Sequence, residues 1–410
     1  GDIVLNSMNV IVGAVGLSRY TGAISPVYYA LFPAEYEVDI KYYDKVFGNT
    51  AFQRYLMIYG KGILIKKSNT GKLNTIRMKI SPDDLKGTLL PIPPKEEQQQ
   101  ITRFLDWKTA QINKFIRNKR RLIALLKEQK QNIINQAVTG KCEVRRVKGE
   151  NGEERLEAFP TSPLKLRPSN VEWLGDIPEH WEVVKLKRVV SFNPSKSETR
   201  ANPANNEKVV FLPMENISVN GEVDCSEKRT LSEVWNGFTY FRRGDVVVAK
   251  ITPCFENGKG AYLKGLESDF GFGTTELIVL RPAKAINGAF LRFLTSTKQF
   301  LLLGEQYMTG AAGQQRIPSD FVKNYPIGLP PINEQLEIIE YIKEKSAEID
   351  QAITRAEREI ELMREYRTRL ISDVVTGQID VRGIEVPEVG EDELLALEED
   401  TADADDVIDD

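Results

Sequence analysis

The chain has 410 residues, 41% hydrophobic and 28% charged, enough apolar material for two or three ordinary domains, which sets aside collagen-like, disordered and disulfide-scaffold classes. Three scattered cysteines, Cys142, Cys225 and Cys254, lack CxxC spacing and read as reduced thiols of a cytoplasmic protein; no run reaches the roughly 18–20 apolar residues of a membrane span, so no membrane partner is expected. The formal charge of −4 is uneven: Glu385–Asp410 holds thirteen acidic residues and no Lys or Arg, and removing those thirteen negative charges leaves the rest at +9, which suits an anionic partner such as nucleic acid.

In chain order, the β-branched and aromatic runs Gly1–Ser7 and Ser25–Pro33 predict short strands in a mixed module over residues 1–90. Pro82-Asp83-Asp84-Leu85-Lys86 superficially matches a nuclease carboxylate–lysine cluster, but no separate metal-binding acid on a strand accompanies it. Pro93-Pro94 then blocks helix entry from upstream and Gly140 stops it. Between them Leu105, Thr109, Ile112, Ile116, Lys119, Ile123, Leu126, Lys130, Ile133 and Ala137 step by alternating fours and threes, the heptad rhythm of a helical seam within 91–141. Residues 142–170 are charged, Gly/Pro-containing and weakly periodic, the pattern of a linker. A second strand-rich module follows over 171–328, with the only histidine, His180, as a structural polar residue. Residues 329–380 repeat the helix: Ile342, Ser346, Ile349, Ile353, Ala356, Ile360, Met363, Arg367, Leu370 and Val374 keep the same steps. The tail 385–410 reads as disordered.

The organising pattern is an internal repeat. Pro93-Pro94-Lys95-Glu96-Glu97-Gln98 recurs as Pro330-Pro331-Ile332-Asn333-Glu334-Gln335, and Ala137-Val138-Thr139-Gly140 as Val374-Val375-Thr376-Gly377, both at an offset of 237. No insertion interrupts either copy, as a continuous helix requires, because a one-residue slip turns every later side chain by about 100°. Each helix should span about 40 residues and roughly 60 Å. Their net charges, near +7 for Pro94–Lys141 and −5 for Pro331–Asp380, favour pairing one with the other. Upstream, Gly244-Asp245-Val246-Val247 matches Gly1-Asp2-Ile3-Val4 at an offset of 243, and Thr275–Pro282 matches Ser25–Pro33 in character. On that alignment the first module lacks a counterpart of about 70 residues, Trp173–Arg243, and the chain is expected to be an N-terminally truncated fragment.

Trp173-Leu174-Gly175-Asp176-Ile177-Pro178-Glu179-His180-Trp181, Phe211-Leu212-Pro213-Met214-Glu215-Asn216-Ile217, Gly244-Asp245, Thr309-Gly310-Ala311-Ala312-Gly313-Gln314-Gln315-Arg316-Ile317-Pro318, Leu329-Pro330-Pro331 with Glu334-Gln335, and Val375-Thr376-Gly377 form an ordered series. It resembles the specificity subunits (HsdS) of type I restriction-modification systems. The resemblance implies an α+β fold with two target-recognition domains separated by two long antiparallel coiled-coil helices in a pseudo-twofold repeat. It implies a non-catalytic subunit that reads a bipartite duplex DNA target and docks two methyltransferase (HsdM) subunits, joined by two restriction (HsdR) subunits in complexes that cleave. S-adenosylmethionine, ATP and Mg2+ would then belong to those partners, with no cofactor or metal on this chain. The competing reading is a coiled-coil scaffold that binds protein without sequence-specific DNA binding.

Base readout needs Arg, Lys, Asn or Gln at base edges, with further cations on phosphates. The candidates are Lys250, Asn257, Lys259, Gln314, Gln315 and Arg316 in Gly-rich loops of the second module, and Asn6, Asn9, Arg19, Tyr20, Lys66, Lys67, Asn69, Lys72, Arg77 and Lys79 in the first. Arg316 and Lys79 are equivalent under the 237 offset. Ile112, Ile116, Ile123, Ile349, Ile353 and Ile360 are expected at the inter-helix seam, and Trp107, Phe115 and Tyr341 as anchors for a docking partner.

Overall fold

The computed structural model describes residues 1–8, 14–33, 38–63, 66–67, 73–74, 77–149, 153–162, 165–202, 204, 207–311 and 313–387. The chain divides into two compact units, residues 1–123 with 353–410, and residues 124–352.

In the first unit β1 (Ile3–Asn6) pairs antiparallel with both β2 (Val15–Leu17) and β3 (Tyr28–Leu31). Two short helices follow, α1 (Ile40–Phe47) and α2 (Thr50–Leu56), each started by a side chain that accepts an otherwise orphaned backbone N–H: Asp39 from Lys41 N, Asn49 from Ala51 N. Strands β4 (Lys61–Ile63) and β7 (Arg77–Lys79) pair, as do β5 (Lys66–Lys67) and β6 (Leu73–Asn74). The Pro82–Lys86 cluster forms a short helix, α3, capped by Ser81. Helix α4 (Lys95–Val138) then runs for 44 residues, those up to Ile123 lying in this unit.

In the second unit, β8 (Cys142–Lys148) and β9 (Glu154–Pro160) form a seven-residue hairpin, where a weakly structured linker was expected. Alternation explains the difference: Val144 and Leu156 point inward and are buried while charged neighbours point out, so the segment has one apolar face to pack. Next come β10 (Leu166–Pro168), β11 (Asp176–Pro178), β12 (Glu182–Lys185), β13 (Val190–Phe192), β14 (Lys208–Leu212), β15 (Lys228–Thr230), α5 (Leu231–Val234), β16 (Thr239–Arg242), β17 (Val246–Ala249), β18 (Gly260–Tyr262), β19 (Phe270–Gly273) and β20 (Leu277–Pro282). Helices α6 (Gly288–Thr295), α7 (Lys298–Gln306) and α8 (Ser319–Asn324), β21 (Pro326–Leu329) and α9 (Ile332–Val375) complete it, α9 passing into the first unit at Ile353. Two four-stranded sheets, β13-β20-β17-β18 and β15-β14-β19-β16, share an apolar layer of Val210, Leu212, Phe241, Val247, Leu277 and Val279. Residues one step away face elsewhere: Val246, Val248, Ile278 and Leu280 meet α6–α9, whereas Val209, Phe211 and Phe272 cover the other face of the second sheet. Each central strand is therefore apolar on both sides, which is why these runs read as continuous Val, Ile, Leu and Phe.

The repeat is structural as well as sequential. β1, β2 and β3 pair as β17, β18 and β20 do, and α4 and α9 begin and end at positions 237 apart. Gln98 and Gln335, both buried, play one role: Gln98 Oε1 accepts from Asp39 N and Nε2 donates to Pro93 O, while Gln335 accepts from Asn287 N and donates to Pro330 and Ala285 O. The Pro-Pro-x-x-Glu-Gln motif thus ties the start of each long helix to the N-cap of a module helix. Gly140 (φ +71°) and Gly377 (φ +75°) close the long helices in the left-handed conformation; at Gly140 a Cβ would also meet Pro178 Cδ at 2.4 Å. All twenty residues of the two seam series are buried or half-buried. Among the described residues β3 has no partner corresponding to β13, and an apolar cleft of about 660 Å³ lined by Tyr28, Leu31, Phe32, Leu90 and Ile92 adjoins it.

Candidate nucleic-acid interface

In the second unit the loop after β17 and the loop between α7 and α8 are stitched together. Ile251 and Thr309 each form a β-bridge with Arg316. Thr252 N donates to Gln315 O (3.0 Å), Gln315 N to Thr252 Oγ1 (3.1 Å), and Ile317 N to Lys250 O (2.9 Å). Gly258, Gly310 and Gly313 adopt positive φ, so the chain turns sharply enough to bring Lys250, Gln314, Gln315 and Arg316 to one edge. Gln314 and Asn257 are exposed there.

Arg316 is not a free cation. Nε and Nη2 grip both oxygens of Glu276 at 2.9 Å, and Nη1 donates to Gln314 O (3.1 Å). These hydrogen bonds, helped by the charge of Lys250, hold the Glu276 carboxyl below the usual carboxylate range. A bidentate pair fixes the guanidinium plane, so Arg316 is presented in one orientation. Lys259 is also engaged, donating to Met214 O at 3.2 Å, which ties the Leu-Pro-Met-Glu-Asn segment to the loop. Lys250 lines a recess of about 380 Å³ with Asn193, Ser195, Lys196 and Tyr240. Burial, followed by the hydrogen bond to Glu198, pushes the Tyr240 phenol up to about 12. Sequence reasoning missed Glu276, Lys196 and Tyr240, because nothing local marks them; pairing of distant strands brings them here.

In the first unit the cationic candidates fall on the two short ladders. Lys66 and Lys67 lie on β5, and Arg77 and Lys79 on β7, with Lys79 directly opposite Lys61. Lys61 and Lys79 are both exposed, and like charges across a ladder repel unless an anion joins them. Tyr20 is 88% exposed and Arg19 is exposed beside it. Asn6, on β1, accepts from Met8 N. Asn9, Asn69 and Lys72 lie outside the described residues. Arg316 and Lys79, equivalent in sequence, occupy different settings: a bridged loop and a strand.

Within the first unit α4 and α9 run antiparallel, with Lys119 on Glu359 and Arg367 Nη1 on Asn113 Oδ1 (2.7 Å), and with Ile112, Ile116, Ile123 and Ile360 in one apolar cluster. Ile353, also in the first unit, is buried. Within the second unit Lys130 meets Asp350 (2.7 Å) and Ile349 is buried. Of the three proposed docking anchors, Tyr341 is corrected: it is a core residue, 9% exposed, packed with the second unit's central cluster, because the start of α9 has the module on one side. Trp107 and Phe115 are half-buried beneath the ammonium groups of Lys108 and Lys119. Among the described residues, the large apolar side chains that stand exposed on the two long helices are Leu122, Leu125, Ile332, Leu336, Leu362 and Tyr366.

His180 Nε2 and Trp181 Nε1 both meet Glu334 (2.7 and 3.0 Å), a structural role. Asp245, fully buried, takes two hydrogen bonds from Arg281, so the repeated Gly-Asp serves the sheet. The three cysteines are free, and burial pushes the Cys142 thiol up to about 11. Among the described residues no group of His, Cys, Asp or Glu gathers as metal ligands, and no helix is long and apolar enough to cross a membrane.

Residues 178–362 match the family model for the type I restriction modification DNA specificity domain. The chain is 36% identical over 230 residues to the type I restriction enzyme EcoEI specificity subunit of Escherichia coli, covering 52% of this chain and 38% of that protein. It is 40% identical over 166 residues to the EcoAI specificity subunit of Escherichia coli, covering 40% of this chain and 28% of that protein. The matches thus span well under half the length of these relatives. A solved structure described as "Structural basis underlying complex assembly and conformational transition of the type I R-M system" superposes with a TM-score of 0.59 at 15% identity, over 92% of this chain and 82% of that one; at that identity the likeness is one of fold.

Proposed function

We propose, from the match of residues 178–362 to the type I restriction modification DNA specificity domain, that the chain is a non-catalytic sequence-specificity subunit of a type I restriction-modification complex. Residues 171–328 act as one target-recognition domain and residues 1–90 as part of another, each reading half of a bipartite duplex site. The helices within 91–141 and 329–380 form the antiparallel spacer between them, with 142–170 the connection between the halves. Two methyltransferase subunits dock on the helices, through Trp107, Phe115 and the exposed Leu122, Leu125, Leu362 and Tyr366; two restriction subunits join in a cleaving complex. Methyl transfer with S-adenosylmethionine, and ATP- and Mg2+-dependent cleavage, belong to those partners.

The observation that carries the reading is the stitched loop pair of the second unit, which offers Lys250, Asn257, Gln314, Gln315 and an oriented Arg316 at one edge. Polar groups able to contact bases stand there beside cations suited to phosphates. The opposed Lys61 and Lys79 add a cationic ladder in the first unit. The test is co-expression with a methyltransferase subunit and mapping of methylated adenines by single-molecule sequencing. A split motif with a constant gap is expected, and Gln314→Ala or Arg316→Ala should relax one half of it. A stable complex whose methylation follows no motif attributable to this chain would favour a protein-binding scaffold instead.

A further inference from the structure

Arg292, on α6, is a buried cation without an anion. It keeps only 8% of its surface exposed. Nη2 donates to the carbonyls of Val219 (3.1 Å) and Gly258 (3.0 Å), while the enclosed Nε has no hydrogen-bond partner among the described residues. Burial pushes the guanidinium down to about 10, so it remains charged at neutral pH. Two carbonyls orient such a group without neutralising it, and buried charges are ordinarily paired. Arg281 shows the contrast within the same unit, since Asp245 and Glu198 enclose it.

Arg292 opens on a recess of about 270 Å³ whose walls include Asn220, Gly221, Asn287, Lys264 and Lys343, with no Asp or Glu among the lining residues. Gly221, at φ +90°, lies against the guanidinium, where a Cβ would stand 3.5 Å from Nε and 4.0 Å from Nη2. Three cations thus line one concave space, and the buried one has no carboxylate to pair with. We propose that this recess is a phosphate-type oxyanion site, with the Arg292 guanidinium supplying an unneutralised charge at its wall and Lys264 and Lys343 completing the neutralisation of the anion.

Such an anion has two sources, a soluble phosphate or a backbone phosphate of duplex DNA. The Gly258 carbonyl held by Arg292 belongs to the turn that carries Asn257 and Lys259, so a phosphate seated here would also steady a candidate DNA-contacting loop. The duplex source rests on the proposed function above; the oxyanion site itself does not.

The first arm titrates inorganic phosphate into the full chain at constant ionic strength, read by phosphorus NMR line broadening and by thermal shift. Saturable binding is expected, abolished in Arg292→Met and weakened at least about fivefold in the surface variant Lys264→Ala/Lys343→Ala, since one such charge contact is worth about 1 kcal/mol or more. The lysine variant carries the test if Arg292→Met fails to fold. No phosphate response in the wild-type chain, or an undiminished one in the lysine variant, overturns the site. The second arm measures duplex binding against salt: a slope smaller by about 0.9 per lost phosphate contact, with sequence preference unchanged, identifies DNA as the source. An unchanged slope with phosphate binding lost assigns the site to a soluble anion. Absence of sequence-preferring DNA binding while phosphate still titrates counts against the proposed function and leaves the recess standing.

Discussion

Replacing Gln335 with alanine is expected to destabilise the second unit by about 4 kcal/mol. The side chain is fully buried and spans three backbone groups: Nε2 donates to Pro330 O and Ala285 O, both at 2.9 Å, and Oε1 accepts from Asn287 N at 2.8 Å. A buried group left without its partner costs about 1–3 kcal/mol. The Pro330 carbonyl is the most enclosed and belongs in the middle of that range. The other two bonds are half-buried, so water entering the cavity recovers part of each and the lower figure applies. Gln335→Glu keeps the acceptor for Asn287 N but turns both donors into a repulsive contact with carbonyls, and should be no better than alanine. The assay combines urea unfolding with amide hydrogen exchange, because a chain of two units need not unfold in one step. Exchange should quicken first at the N-terminal turn of α6 and the first turn of α9. A loss under about 1 kcal/mol, or faster exchange spread evenly over the chain, would refute the assignment of this motif as a tie. Gln98→Ala should loosen the start of α1 in the same manner.

Arg316→Ala should cost about 1–3 kcal/mol of discrimination at one base pair, measured by competition between single-substituted duplexes; an equal loss for all sequences would mean that the side chain only braces its loop. Glu276→Gln keeps the shape but removes the charge facing Arg316, so duplex affinity should rise at low salt while selectivity falls. The Glu276 carboxyl lies below its ordinary range, so its contribution is present above the unfolded-state value of about 4.3 and disappears only as pH falls through the lower folded value. Thermal melts from pH 6 to 2 should show this loss in the wild type and not in Glu276→Gln. Lys130→Glu should cost about 0.5 kcal/mol and be restored by Asp350→Lys, the size expected of an ion pair with one exposed member. Gly271→Ala should cost about 2 kcal/mol or more by overpacking, since its Cβ would lie 2.7 Å from both Phe241 and Val210 O on the flanking strands of the same sheet; an unchanged melting temperature would show that Phe241 and β14 can give way there.

The long helices were the most legible part of the fold. Pro-Pro, twenty seam positions in unbroken register and a closing glycine are local signals, and a helix answers to local signals because its hydrogen bonds join residues four apart. The strands of the second module were legible as strands but not as two sheets, since the parallel pairing of β14 with β19 joins residues about sixty apart in the chain. The hairpin over 142–160 was misread because charged residues outnumber apolar ones there, and only its alternation, with Val144 and Leu156 on the inner face, betrays it. Tyr341 was misjudged for a related reason: an aromatic on a charged helix looks like a surface anchor until the module packed against it is known.

The candidate site divides in the same way. Residue types suited to DNA, such as Gln314, Gln315, Arg316 and Lys250, are visible in the sequence because their Gly-rich loops are contiguous. That Arg316 is held by Glu276, that Lys259 is spent on Met214 O and that Arg292 lies buried without a counter-charge are consequences of strand order and loop closure. The sequence by itself determined the two helices, their common length and the doubled plan of module followed by helix, since each depends on periodicity and capping within short windows. Tertiary structure alone decided which cations are paired, which are buried and which stand free, because charge pairing and burial depend on neighbours that only folding brings together.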